Sequence, residues 1–138
     1  MTTQLSIEEI QEALIAKLKA NVNISARVGT DIREMQYQGD GFVYPNLRVR
    51  VDSLQPLQSY QCSHYRFDCR MQVFSESDNS LESNQIAGII FKELSNKQFT
   101  ASNIALSLRL LNLLSAIRVN VRTWRAEILW SGIASKIA

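Results

Sequence analysis

The sequence is short of the residues that most often carry chemistry: one histidine, two cysteines, two prolines and five scattered glycines among 138 residues. Each scarcity excludes something. His64 opens a polar strand face with no serine or cysteine placed to use it, so neither a histidine base nor an imidazole-centred metal site can be assembled from the spacing. Cys62 and Cys69 match no zinc or redox spacing. They permit one disulfide, but both read as reduced thiols, with Cys69 in the core. The glycines form no phosphate-cradling loop. No apolar run approaches the roughly 18 residues a membrane span needs. Met1-Thr2-Thr3-Gln4 lacks the basic flank and apolar run of a signal peptide, so an aqueous, reducing compartment is expected. Neither sign of charge dominates: 15 basic against 13 acidic residues leave a net +2, too little to imply nucleic acid without a dense basic patch.

What is present describes an ordinary globular chain. Hydrophobic residues make up 46% and charged residues 20%, which argues against disorder. The length suits one domain over residues 1–138, able to bury roughly two thirds of its unfolded surface. Ten of the fifteen basic residues are arginine, whose rigid fork pairs carboxylates bidentately and is enriched at protein interfaces.

The hydrophobic period changes along the chain. Ser6 and Glu9 have capping-box spacing, Leu5 and Ile10 can staple it, and Ile7, Ile10, Leu14 and Leu18 recur at helical intervals. Acidic Glu8, Glu9 and Glu12 sit at one end and Lys17 and Lys19 at the other, so a helix is predicted over 7–21. Residues 23–41 read as loop, with 27–33 as a short strand or extended arm. From Val43 the period is two. Leu47, Val49 and Val51 face one way, and Arg48, Arg50 and Asp52 the other, with Pro45 marking a sheet edge. After a loop over 53–63, Tyr65, Phe67, Cys69, Met71 and Val73 alternate with His64, Arg66, Asp68, Arg70 and Gln72, predicting an antiparallel partner with one face buried.

Asn79 and Glu82 repeat the capping-box spacing before a second helix marked by Ile86, Ile89, Ile90 and Leu94. Gly88 inside it costs about 1 kcal/mol relative to alanine, which a close approach to the small Ala13 and Ala16 of the first helix would explain. The stretch 104–121 fits either period: Ile104, Leu106, Leu108 and Leu110 alternate, while Leu106, Leu110, Leu113, Leu114 and Ile117 also suit a helix. A strand over 104–111 is the expectation, followed by a last strand with Trp124, Ala126, Ile128 and Trp130 on one face. The expected fold is α+β: a four-stranded, mainly antiparallel sheet with two helices on one face, in the order α-β-β-α-β-β.

No catalytic constellation emerges, and no cofactor or metal site is expected. Asp52 and Asp68 alternate with arginines, which suits ion pairing better than acid–base work. The arginine-rich strand face is the most informative feature. Arg48, Arg50, Arg66 and Arg70 outnumber Asp52 and Asp68, leaving positive charge that a second subunit's acids can neutralise. Glu8, Glu9 and Glu12 of a neighbouring copy are the natural counterpart. The candidate subunit-interface residues are therefore Arg48, Arg50, Arg66, Asp68 and Arg70 with Glu8, Glu9 and Glu12. A competing reading takes Arg118, Arg122 and Arg125 with Trp124 as a stacking site for single-stranded nucleic acid.

Three patterns together resemble a known family. They are the amphipathic helix from Ile7 to Leu18, the strand pair ending in Met71-Gln72-Val73-Phe74-Ser75 before a polar turn, and the helix Ile86-Ala87-Gly88-Ile89-Ile90-Phe91-Lys92-Glu93-Leu94 followed by two closing strands. Over residues 5–132 the chain resembles the tail terminator, or tail completion, proteins of tailed bacteriophages. The resemblance implies a non-enzymatic virion protein, assembled in the host cytoplasm, that forms a hexameric ring at the head-proximal end of the tail. Its implied partners are further copies of itself, the tail-tube protein, a neck or stopper protein and a sheath protein, with no membrane and no specific nucleic acid. A stopper or head–tail adaptor of the same neck remains open as an alternative. The leucine-rich stretch from Leu106 to Leu114 is more apolar than a partly exposed strand requires, and marks either a subunit interface or a different element.

Overall fold

The computed structural model describes residues 5–29, 31–35, 43–57 and 64–136. Helix α1 (Ile7–Ala20) begins as predicted: the Ser6 hydroxyl accepts from the Glu9 amide, and the Glu9 carboxylate accepts from the Ser6 amide. Ile10, Ala13, Leu14 and Leu18 form its buried stripe. Asn21 ends α1 and starts α2 (Val22–Val28), its side-chain oxygen accepting from the amides of Asn23 and Ile24. Strands β1 (Ile32–Glu34), β2 (Asn46–Pro56) and β3 (His64–Glu76) follow. Helix α3 (Leu81–Leu94) leads to β4 (Gln98–Ala101), β5 (Ile104–Arg118) and β6 (Thr123–Lys136).

The expected four-stranded sheet with two helices is wrong. Among the described residues the strands form one six-stranded mixed sheet in the order β1-β2-β3-β6-β5-β4, parallel between β1 and β2 and antiparallel elsewhere, accompanied by three helices. The missed elements α2 and β4 have 7 and 4 residues, and β1, which overlaps the 27–33 offered as a short strand or extended arm, has 3, all too short for a hydrophobic period to appear. Strand β2 also runs through Pro56, which the sequence reading placed in a loop. A proline is tolerated there because β1 pairs only with residues 47–49, leaving that end of β2 as a sheet edge.

One face of the sheet is the floor of the core. Leu47, Val49, Val51, Phe67, Cys69, Met71, Val73, Ala126, Ile128 and Trp130 lie there, together with Ile104, Leu106 and Leu108. Helices α1 and α3 cover it, α1 against β1, β2 and β4 and α3 against β3, β5 and β6. Full burial of side chains such as Phe67, Met71 and Ile128 contributes roughly 1.5–3 kcal/mol each. Gly88 does not mark an α1–α3 approach, since nothing lies within 4 Å of where its Cβ would be, and Ala16 is exposed. Instead α2 touches both helices. Nor does Asn79 cap α3 in a box with Glu82: Ser80 is the N-cap, and Asn79 accepts from the Leu81 amide.

The ambiguous stretch is a strand, longer than predicted, and its double periodicity has a cause. The pairing of β5 with β6 slips between Leu110 and Asn112 and again between Leu114 and Ile117. Leu110 stands opposite buried Trp130, and Leu113, three residues on, stands opposite buried Ile128. Each bulge inserts an extra residue, so a step of three keeps side chains on one face and imitates a helix. Asp52 occupies the same kind of irregularity in β2.

Burial pushes the Cys69 thiol up, and the nearby Asp52 charge adds to this, so the buried sulfur behaves as a core residue. Cys62 lies outside the described residues.

Gly132 sits opposite Phe67 and Leu108, and a Cβ there would run into the Phe67 ring and come 2.8 Å from the Ser107 carbonyl oxygen. Gly132→Ala is therefore expected to lower stability by about 1–3 kcal/mol in urea unfolding. A second expectation concerns Glu93. Hydrogen bonds from Asn23 (2.6 Å) and Asn21 (3.3 Å) hold its carboxyl below the usual range and clasp α3 to the start of α2. A carboxyl with a lowered folded pKa binds fewer protons folded than unfolded. Its contribution is complete above about pH 4.5 and lost as pH falls through the lower folded value. Glu93→Gln should flatten the acid limb of the urea midpoint plotted against pH.

Candidate assembly surface

The face of the sheet turned away from the helices carries the charges. The register aligns Arg50, Arg70, Leu129 and Asn112 in one row across β2, β3, β6 and β5. The next row is Ser53, Asp68, Ser131 and Arg109, followed by Gln55, Arg66, Ile133 and Ser107. Directly opposed arginines repel. The bulge at Asp52 resolves the Arg50–Arg70 clash by setting one carboxylate oxygen 3.1 Å from Arg50 Nε and 3.2 Å from Arg70 Nη2. Asp68 accepts from the Ser53 hydroxyl at 3.1 Å, and Gln72 donates to Glu127 at 2.6 Å. Arg66 and Arg109 make no ion pair among the described residues. They line one open depression of about 420 Å³ with Asn96, Gln98, Ser107 and Ser131.

Arg48 differs from the other arginines of this face. Its side chain is only 3% exposed, and its Nη1 donates to the Asp31 carboxylate (3.1 Å) and to the carbonyls of Asp31 and Leu47. Asp31, in the stretch expected to be loop, precedes β1 and also pairs with Arg33. Arg48 therefore holds β1 to β2 from within the chain, while Arg50, Arg66 and Arg70 remain at the surface.

On the opposite side of the sheet, Glu8 and Glu12 of α1 are exposed and one turn apart. Glu9 is committed within the chain, to the helix cap and to Lys136 at 3.4 Å. The acidic helix and the arginine face thus point in different directions, as two complementary patches of a head-to-tail contact would. The alternative basic cluster does not form one surface. Trp124 is half-buried with its ring N–H donated to the Ser77 carbonyl, and Arg122 pairs with Asp78. Arg125 alternates to the other face of β6. His64 is exposed at the start of β3. Among the described residues no cluster is able to hold a metal, and no helix is long and apolar enough to cross a membrane.

The most unusual surface is the far half of β5 and its turn into β6. Leu111, Leu113, Leu114, Ile117, Val119 and Val121 are all exposed, Val121 by 74%. In contrast, Ile104, Leu106 and Leu108 of the near half are core. The leucine-rich stretch noted in the sequence is therefore two surfaces, divided where β4 ends its pairing at Ser107. The sequence singled out Leu106 to Leu114 without dividing it, and missed Ile117, Val119 and Val121 as surface residues, because composition cannot show where the covering elements stop.

This geometry belongs to a fold seen in solved structures. A chain from the virion of a native gene transfer agent particle superposes with TM-score 0.73 at 16% identity, over 96% of this chain and 99% of that one. A second solved structure, designated only by a sequence code, superposes with TM-score 0.67 at 13% identity, over 98% and 99% of the respective chains. No family model matches the sequence, and no curated protein matches it. At these identities the likeness is one of fold, and it extends across whole chains of both structures.

Exchanging Arg48 for glutamate would bury a second carboxylate beside Asp31. Arg48→Glu is expected to lose about 3–5 kcal/mol in chemical denaturation. Arg50→Glu, at a surface position, should stay within about 1 kcal/mol of the parent.

Proposed function

We propose that this chain is a structural protein of a phage-like virion, and within that class a tail terminator. Copies would form a ring at the head-proximal end of the tail tube and join the tube to a neck protein. The distal half of β5 carries the proposal: a row of exposed leucine, isoleucine and valine side chains is poor design for a free monomer and suits a surface covered in an assembly. The whole-chain likeness to a virion component and the family resemblance of the sequence support it. So does the placement of Glu8 and Glu12 on the side opposite Arg50, Arg66 and Arg70, since rings are built from two different complementary patches. In this role the chain performs no reaction. Its work is to present surfaces to sister subunits, the tail-tube protein and a neck or stopper protein.

The native mass tests the proposal. Light scattering on the purified protein, alone and with a tail-tube protein, should give a ring-sized multiple of 15.7 kDa, six-fold for a hexamer. The double variant Leu111→Lys/Ile117→Lys changes two side chains that are each about half exposed. It should keep the parent's circular dichroism and lose the assembly. Wild-type protein that stays monomeric in both samples would refute the ring.

A further inference from the structure

We infer that the outer edge of β5, from Arg109 to Ser115, receives by strand addition an extended segment of a partner protein that is apolar along its length and carries carboxylates at its ends. The inference rests on the assembly proposed above and specifies the chemistry of one contact.

The backbone supplies the first observation. On the side of β5 away from β6, β4 pairs with residues 104–107. Ser95 bridges to Leu108, whose carbonyl accepts from the Asn96 amide. Further along, the Asn84 side chain accepts from the Ala116 amide. Between these points no strand pairs with β5 among the described residues. Protected edges carry charge, proline or a covering element. Here Leu110, Leu111, Asn112, Leu113, Leu114 and Ser115 include no charged residue and no proline.

Side chains supply the second. Leu111, Leu113 and Leu114 are all more than a third exposed beside this open edge. A helix could cover the side chains, but only an extended segment satisfies the unpaired N–H and C=O groups as well.

Charge supplies the third. From Ile104 to Ala126 the chain has four arginines and no carboxylate. Arg109 and Arg118 bracket the edge. Among the described residues Arg109 makes no ion pair, and Arg118 donates to the Asn120 carbonyl and makes no ion pair. A second copy of β5 fits poorly, because it brings more arginines and no carboxylate to this edge. Carboxylates beside Arg109 and Arg118 supply the missing counter-charge.

The test uses full-length protein and two synthetic ten-residue probes of alternating valine and threonine, one ended by glutamates and one by lysines. Amide hydrogen exchange over residues 109–115 and native mass are read on the same samples. The glutamate-ended peptide should slow exchange at alternate amides of this segment and bind roughly tenfold more tightly than the lysine-ended one. The exposed double variant R109E/R118E should reverse that preference. Equal binding of the two peptides, or no protection by either, overturns the inference. So does protection without peptide in a dimer or ring, which would make the occupant a second copy of this chain. A ring-sized mass with peptide-insensitive amides removes the strand contact and leaves the assembly standing. A monomer whose segment is protected by the glutamate-ended peptide supports the strand contact and counts against the ring.

Discussion

The antiparallel pairing of β3 with β6 is the constraint on which the rest depends. It runs unbroken from His64 opposite Ser135 to Glu76 opposite Thr123, with no slip in register. That regularity puts Phe67, Cys69, Met71 and Val73 on the same face as Ala126, Ile128, Trp130 and Gly132, giving α1 and α3 one continuous apolar floor. The same register places Arg66, Asp68, Arg70 and Gln72 beside Glu127, Leu129, Ser131 and Ile133 on the other face. A slip of one residue would exchange core for surface along both strands, so the charged face and the core have a single origin.

The irregular strands lie outside this pair. β2 slips at Asp52, and the slip turns a carboxylate into the bridge between two arginines that would otherwise repel. β5 slips twice, and beyond the first slip its side chains leave the shelter of the near half. Bulges twist a strand and end regular pairing. Here they separate the stretch of β5 that belongs to the core from the stretch available to another molecule.

Electrostatics divides in the same way. Arg48 and Asp31 form a buried pair that ties the short parallel strand β1 to the sheet, and Glu9 serves the start of α1 and Lys136. These charges are used within the chain. Among the described residues Arg66, Arg109, Glu8 and Glu12 make no ion pair, and they lie on different sides of the sheet. A surface argument drawn from composition alone treats Arg48 and Arg50 as equals, although only Arg50 faces solvent.

By itself the sequence determined the elements whose signals are local. The capping box and stripe of α1, the alternation of β3, the buried face of β6 and the apolar stripe of α3 are properties of neighbours within one or two turns, or of every second residue. Only the tertiary structure decided the sheet order, the parallel β1, the role of α2 and the burial of Arg48, because each depends on contacts between residues far apart in the chain. The same holds for the exposed half of β5. Leu106 and Leu111 have the same side chain, and what separates core from surface there is whether another element lies over them, a fact that no local pattern encodes.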